Sequence, residues 1–311
     1  MTTGRARVSP PGAPPIDLAY DLFGTGGWPL VLIMGIGAQR IFWDEQLCVH
    51  LALAGFHVVR FDHRDIGEST RLDLPVPRPG RVTMRRLLLN RTGDVPYTLS
   101  DMAGDVAGLI AALGWDSAHV VGASLGGMVG QHLAIEHPTR VRSLTSMIST
   151  PGGRRYLPEP RALKALFQPA PRTAEEAGET MARMFTAIGS PLWPVDAERL
   201  RAVGRAAHAR GPAPRGYLRH YAAVMGTPDR RPALRRLHTP TLVIHGTRDP
   251  LFPMSAARDM VAMMPDATLL PLAGMGHDLP PGLWPVIVAA IARLARRAEA
   301  TRGASLRSTA P

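Results

Sequence analysis

Short, continuously apolar runs alternate along this chain with stretches whose apolar positions recur at helical spacing. That alternation predicts an α/β fold with a mostly parallel, doubly wound sheet. Ile16 to Phe23 alternates apolar and polar positions as an early strand does. Leu30 to Met34 predicts a buried strand running into Gly35-Ile36-Gly37, and a helix follows from about Gln39 to Ala54. His57 to Phe61 is the next strand and runs into Asp62-His63-Arg64-Asp65-Ile66-Gly67-Glu68-Ser69. Leu99 to Leu113 carries a helical pattern, with Thr98 or Ser100 supplying an N-cap oxygen. Ala118 to Val121 then reads as a strand, Gly127 to Ala134 as a helix and Val141 to Ile148 as a strand.

From Thr150 to about Leu237 the pattern changes. No strand is predicted there. Arg161–Phe167, Thr173–Ile188, Asp196–Ala209 and Arg215–Met225 have helical spacing, separated by Pro and Gly. Strands resume at Thr241–His245 and Thr268–Leu272, and a last helix runs from Trp284 to about Glu299. The expected organisation is a core of residues 1–149 and 238–299, interrupted by a helical cap at 150–237, with 300–311 a disordered tail. Arg71 to Arg91, rich in Pro and Arg, is expected to be a surface loop or a short flap.

Composition narrows the classes of partner. A chain of 311 residues, 45% hydrophobic, suits one large α/β domain with an insertion, or two small domains. Its formal net charge is +11, and every basic residue but Lys164 is arginine. The arginines are scattered, with no basic stripe interleaved with aromatics. A bias toward Arg, Ala, Pro and Gly codons accounts for them better than a nucleic-acid surface does, so no nucleic-acid partner is expected. Cys48, the sole cysteine, excludes an internal disulfide and falls in a helical pattern as a small core residue. Met1 to Pro15 has no apolar signal core, and no run approaches the ~18 apolar residues of a membrane span. A cytoplasmic protein without a membrane partner is expected, as monomer or homodimer. The histidines lack metal-ligand spacing, and neither a G-x-G-x-x-G nor a Walker loop is present, so neither metal nor cofactor is expected.

The chemistry is concentrated at strand ends. Gly122-Ala123-Ser124-Leu125-Gly126 stands between a strand and a helix, which puts a serine at the apex of a sharp turn. A serine hydroxyl is a weak nucleophile until a positioned base takes its proton, and that base needs a partner to fix its tautomer. Two more strand ends supply such groups: Gly246-Thr247-Arg248-Asp249-Pro250 and Ala273-Gly274-Met275-Gly276-His277. The order Ser124, Asp249, His277 is that of the α/β-hydrolase fold. Ser149-Thr150-Pro151, after the preceding strand, offers no carboxylate. The oxyanion formed during attack needs amide donors, expected from the Leu125 N–H at the helix head and from Ile36 in the loop after Met34. His63, Arg64 and Asp65 are assigned instead to a hydrogen-bonded turn under the site.

These motifs, with Met34-Gly35-Ile36-Gly37 and the Asp62–Ser69 segment, resemble the α/β-hydrolase superfamily over residues 16 to 298, and in particular the aclacinomycin methylesterase group. The resemblance implies a serine carboxylesterase with a helical cap, acting on a polyketide methyl ester. It carries the nucleophile, acid and base to Ser124, Asp249 and His277, and the oxyanion donors to Ile36 and Leu125. The segment Pro75 to Arg91 looks longer than that group's loop, and for that reason related esterases that open macrolide lactones are the alternative. The expected substrate is a small molecule, a bulky hydrophobic ester or macrocyclic lactone, with Phe185, Trp193, Tyr217 and Tyr221 of the cap lining its pocket. A cofactor-free perhydrolase or haloperoxidase would use the same three residues. A non-catalytic ligand receptor would have no need of all three.

Overall fold

The structure, a computed structural model, describes residues 1–9, 14–80, 82, 95–153, 155–193 and 196–308. Along the chain come β1 (Thr2–Val8), β2 (Ile16–Phe23), β3 (Trp28–Ile33), α1 (Glu45–Leu53), β4 (Phe56–Phe61), α2 (Leu99–Ala112), β5 (Ala118–Ala123), α3 (Leu125–Glu136) and β6 (Val141–Met147). The helices α4 (Pro160–Leu166), α5 (Ala174–Ile188), α6 (Ala197–Ala209), α7 (Pro214–Gly226) and α8 (Arg231–Leu234) follow. The chain then closes with β7 (Thr241–Gly246), α9 (Met254–Met263), β8 (Ala267–Leu272) and α10 (Trp284–Ser308).

The strands form one sheet in the order β1-β2-β4-β3-β5-β6-β7-β8. Pairing is parallel from β4 to β8, while β2 runs antiparallel to both β1 and β4. Strand side chains alternate between faces, so a strand covered on both sides must be apolar throughout. In β3, Val31 and Ile33 join the core shared with α2 and α3, while Leu30 and Leu32 join the core shared with α1 and α10. That double burial is why Leu30–Met34 reads as an unbroken apolar run. β5, which delivers Ser124, lies between β3 and β6, with Val121 opposite Leu32 on one side and Thr145 on the other.

Three differences from the sequence reading have local causes. β1 was not expected; its only inward side chains are Ala6 and Val8, too few to stand out from a polar N-terminus. The first helix begins at Glu45 rather than near Gln39, because Asp44 caps it by accepting the Gln46 N–H at 2.8 Å, and Arg40–Phe42 forms a separate turn of 3₁₀ helix. The last helix runs past residue 299 to Ser308, where a disordered tail was expected. For α2 the cap is Thr98, in a reciprocal capping box with Asp101. Residues 81 and 83–91 of the Arg71–Arg91 segment lie outside the described residues.

The segment between β6 and β7 contains helices and no strand among its described residues. Arginines tie it to the strand ends of the core. Arg219 of α7 grips Asp65 through two hydrogen bonds, Nε at 2.8 Å and Nη2 at 2.7 Å. Arg210 reaches Asp62 at 3.0 Å and Glu68 at 2.7 Å, and Arg199 pairs with Asp44. No described helix is long and apolar enough to cross a membrane.

Candidate active site

The turn between β5 and α3 shows why its sequence is so restricted. Ser124 adopts φ 56° and ψ −118°, a conformation that side chains other than glycine seldom accept. Its N–H donates to the Met147 carbonyl at 2.9 Å, and its own carbonyl accepts from the Ser149 hydroxyl at 2.7 Å. Bonds from β6 and the residues after it therefore hold the strained residue in place. A β-carbon at Gly122 would lie 2.2 Å from the Gly126 carbonyl oxygen, and one at Gly126 would lie 2.0 Å from the Ile33 carbonyl oxygen. Strand and helix approach to a distance that only bare backbone permits. Gly126→Ala should accordingly lower stability by ~2 kcal/mol or more, as an overpacked core does. An unchanged urea midpoint would contradict this account of the turn.

Asp249 and His277 stand at the ends of β7 and β8, and His277 Nδ1–H donates to Asp249 Oδ2 at 2.8 Å. The other carboxylate oxygen accepts the backbone N–H of Leu251 at 2.8 Å and of Phe252 at 3.0 Å. Burial pushes the Asp249 carboxyl upward, but the adjoining His277, with His245 and the Phe252 amide, outweighs it and holds the group below the usual carboxylate range. With Nδ1 committed to Asp249, His277 Nε2 is the ring nitrogen left to exchange a proton. Ser124 and His277 both line one cavity of about 790 Å³, while Asp249 lies behind the imidazole, out of the cavity wall.

Leu125 is the first residue of α3, and Ile36 follows Gly35, whose position lies against the Ser124 side chain. Among the described residues, no hydrogen bond from the Ile36 or Leu125 N–H is found. Phe185, Trp193, Tyr217 and Tyr221 all line the same cavity. Its walls are mostly apolar, with contributions from Ile36, Leu47, Met128 and Leu251 of the core.

Sequence reasoning did not anticipate the polar residues Ser190 and Asp278. Asp278 lies in the cavity wall beside His277, accepts a hydrogen bond from the Ser190 hydroxyl, and is raised above the usual carboxylate range by burial, which outweighs that bond. Ser190 in turn accepts the Gly276 N–H at 2.8 Å, and the His277 N–H donates to the Ile188 carbonyl at 2.7 Å. The C-terminal end of α5 thus binds the histidine loop. Only the acidic residue next to His277 could have signalled it. Among the described residues, no group of three or more His, Cys, Asp or Glu side chains could hold a metal ion.

Residues 29–190 match the family model described as the alpha/beta hydrolase fold. The chain belongs to that family. It is 29% identical over 299 residues to rhodomycin D methylesterase of Streptomyces sp. strain C5, covering 87% of this chain and 91% of the relative. The enzyme of the same name from Streptomyces peucetius is 29% identical over 301 residues, with the same coverage. A hydrolase from Pseudomonas aeruginosa PA01 superposes with a TM-score of 0.65 at 25% identity, over 94% of this chain and 97% of that one. Fold and relatives together support a carboxylic-ester hydrolase.

Proposed function

We propose that this chain is a serine carboxylic-ester hydrolase that works through an acyl-enzyme on a bulky hydrophobic ester or macrocyclic lactone of polyketide type. The observation that carries the reading is the His277–Asp249 pair opening onto the same largely apolar cavity as the strained Ser124. Ser124 Oγ attacks the ester carbonyl carbon, and its proton passes to His277 Nε2. The imidazolium so formed is stabilised by Asp249. The carbonyl oxygen becomes an oxyanion and takes hydrogen bonds from the Leu125 and Ile36 N–H groups, each worth on the order of 3 kcal/mol in the transition state. As the C–O bond breaks, the departing alkoxide takes the proton from His277. Water then repeats the sequence on the acyl-enzyme, releasing the acid and restoring Ser124. The helical segment 150–237 serves as the lid of this site.

Substrate class is argued from cavity and relatives. A mostly apolar space of about 790 Å³ is at the large end for small-molecule sites and is far bigger than an acetate needs. The methylesterase relatives act, by name, on rhodomycin D, and a polycyclic or macrocyclic ester of comparable bulk suits these walls. Purified protein should release acid from large aromatic or macrocyclic esters far faster than from p-nitrophenyl acetate. Indifference to substrate size would count against the assignment. Parallel assays with hydrogen peroxide and bromide should show hydrolysis dominating; a dominant halogenation would identify a perhydrolase instead.

Trp193 and Phe185 supply the corresponding residue-level test. Truncating either to Ala should lower kcat/KM for a large ester about tenfold or more, since each removes apolar surface only a large acyl or alkyl group can cover. The value for p-nitrophenyl acetate should barely move. Equal losses on both substrates would leave these side chains a stabilising role alone.

A further inference from the structure

The chemistry proposed above uses a serine, an aspartate and one histidine, yet two more histidines lie wholly buried beside the loop that carries Ile36. His63, just beyond β4, donates its Nε2–H to the Met34 carbonyl at 3.0 Å. His220, on α7, donates its Nε2–H to the Arg64 carbonyl at 3.0 Å and accepts the Gly37 N–H on Nδ1 at 3.3 Å. The two rings meet edge to face, with centroids 5.5 Å apart. Both are at most 1% exposed. The Met34–Gly37 stretch is therefore held on either side of Ile36, by an acceptor bond at Met34 and a donor bond at Gly37.

Packing reinforces those bonds. Gly37 has φ 64°, and a β-carbon there would lie 2.3 Å from Cδ2 of Tyr217, so the Tyr217 ring fills the space where a side chain would be. Tyr217 and His220 sit one turn apart on α7 and face the same loop. The hydroxyl of Tyr217 donates to the Leu166 carbonyl at 2.8 Å, which fixes that ring in turn.

We propose that His220, with His63 behind it, is a positioning residue for oxyanion stabilisation, holding the Ile36 N–H at the point where the carbonyl oxygen gathers charge. The inference rests on Ser124 being the nucleophile and Ile36 an oxyanion donor. It gives α7 two duties: Tyr217 and Tyr221 meet the substrate, and His220 presents the loop on which the reaction depends. The bond from Gly37 requires a neutral His220 ring, because a second proton there would put an N–H against the Gly37 N–H. Burial drives His63 down to about 3, helped by His220 and Arg64 against the bond to Met34. Burial likewise carries His220 down to about 4, against the opposing bond to Arg64 and the nearby Asp65, with Arg64 and Arg219 adding to the fall. Tyr97, edge-on to His220, completes the titratable surroundings. The sign follows: a depressed histidine keeps its neutral bonds from neutral pH down to its folded value and loses them only below it.

The test compares replacements of His220 by their hydrogen-bonding atoms. His220→Asn keeps an acceptor near the position of Nδ1; His220→Gln keeps a donor for Arg64 but none of the acceptor at Nδ1; His220→Leu keeps neither. On a large chromogenic ester, the Leu and Gln variants should lose about 10- to 100-fold in kcat with KM within about twofold, the effect of a small misplacement at the reacting atoms. Asn should recover most of the loss. Affinity for an aryl trifluoromethyl ketone, which becomes an oxyanion on attack by serine, should fall in the same ratio as kcat, whereas affinity for the acid product should not. Wild-type kcat in the Leu variant would overturn the proposal, as would equal weakening of ketone and product. If Leu does not fold, nitrogen NMR of the wild-type histidines decides. His220 should be the neutral Nε2–H tautomer from pH 5.5 to 8, and an Nδ1–H tautomer would refute the assignment. Fluorophosphonate labelling keeps the two readings apart. Labelling of Ser124 alongside an unaffected His220→Leu sinks only the positioning role, while failure to label Ser124 sinks the esterase mechanism beneath it.

Discussion

Ser124→Ala should abolish turnover, lowering kcat by about 10⁶ while leaving the protein folded. The size of the effect follows from the covalent path: without Oγ no acyl-enzyme forms, and only substrate binding and the amide donors remain. Folding should survive because the bonds that hold the turn use backbone atoms of residue 124, its N–H to Met147 and its carbonyl to Ser149. Alanine at φ 56° bears much the same strain as serine. A fluorophosphonate should phosphonylate the wild-type protein at Ser124 once per chain and should not react with the variant. Labelling at any other serine with Ser124 untouched would move the nucleophile elsewhere.

Asp249→Asn should reduce kcat by about 10⁴, with KM changing little. An asparagine amide can turn its NH₂ toward His277 Nδ1 and stabilise the tautomer with the proton on Nε2, which is useless as a base. The cost comes from the wrong tautomer and the loss of a counter-charge, so the fold should persist. The pH behaviour carries a second expectation. Because the Asp249 carboxyl is held below its usual range, its pairing contributes stability above the unfolded carboxylate value of ~3.9 and is lost only as pH falls through the lower folded value. Asp249 is thus charged across the whole range from pH 5 to 8. Any acid-side fall in kcat/KM above pH 5 should therefore not come from Asp249 and should reverse fully on returning to neutral pH. A variant retaining near wild-type turnover would require another carboxylate to serve His277.

The elements that place these three residues were legible because their signals are local. β3, β5 and β7 are buried on both faces, which forces unbroken apolar runs such as Leu30–Met34 and Leu242–Ile244. A parallel sheet then gathers the carboxyl ends of its strands on one side, so residues distant in sequence converge without any pairwise signal between them. What the sequence hid depends on partners far along the chain. His220 looks like one of eleven unremarkable histidines, since the bond from Gly37 to it joins residues 183 positions apart. Ser190 with Asp278 is concealed in the same way, by a span of 88 residues. β1 escaped notice for the opposite reason: an edge strand with one covered face needs few apolar residues, and two short ones leave almost no periodicity.

The arginine ties between the helical segment and the core bear on engineering. Asp65 is fully buried and relies on Arg219, itself buried, for its countercharge; Asp62 leans on Arg210 as well as on Arg40. Exchanging residues 150–237 for the corresponding stretch of another hydrolase would strip a buried carboxylate of its guanidinium, a loss of about 3–5 kcal/mol when one partner of such a pair is removed. Chimeras that broaden substrate range should therefore transplant α7 together with the Asp62–Ser69 loop, treating the two as a single unit of inheritance. A graft bounded by α4 and α5 alone leaves every one of those charges matched, and makes the safer place to begin.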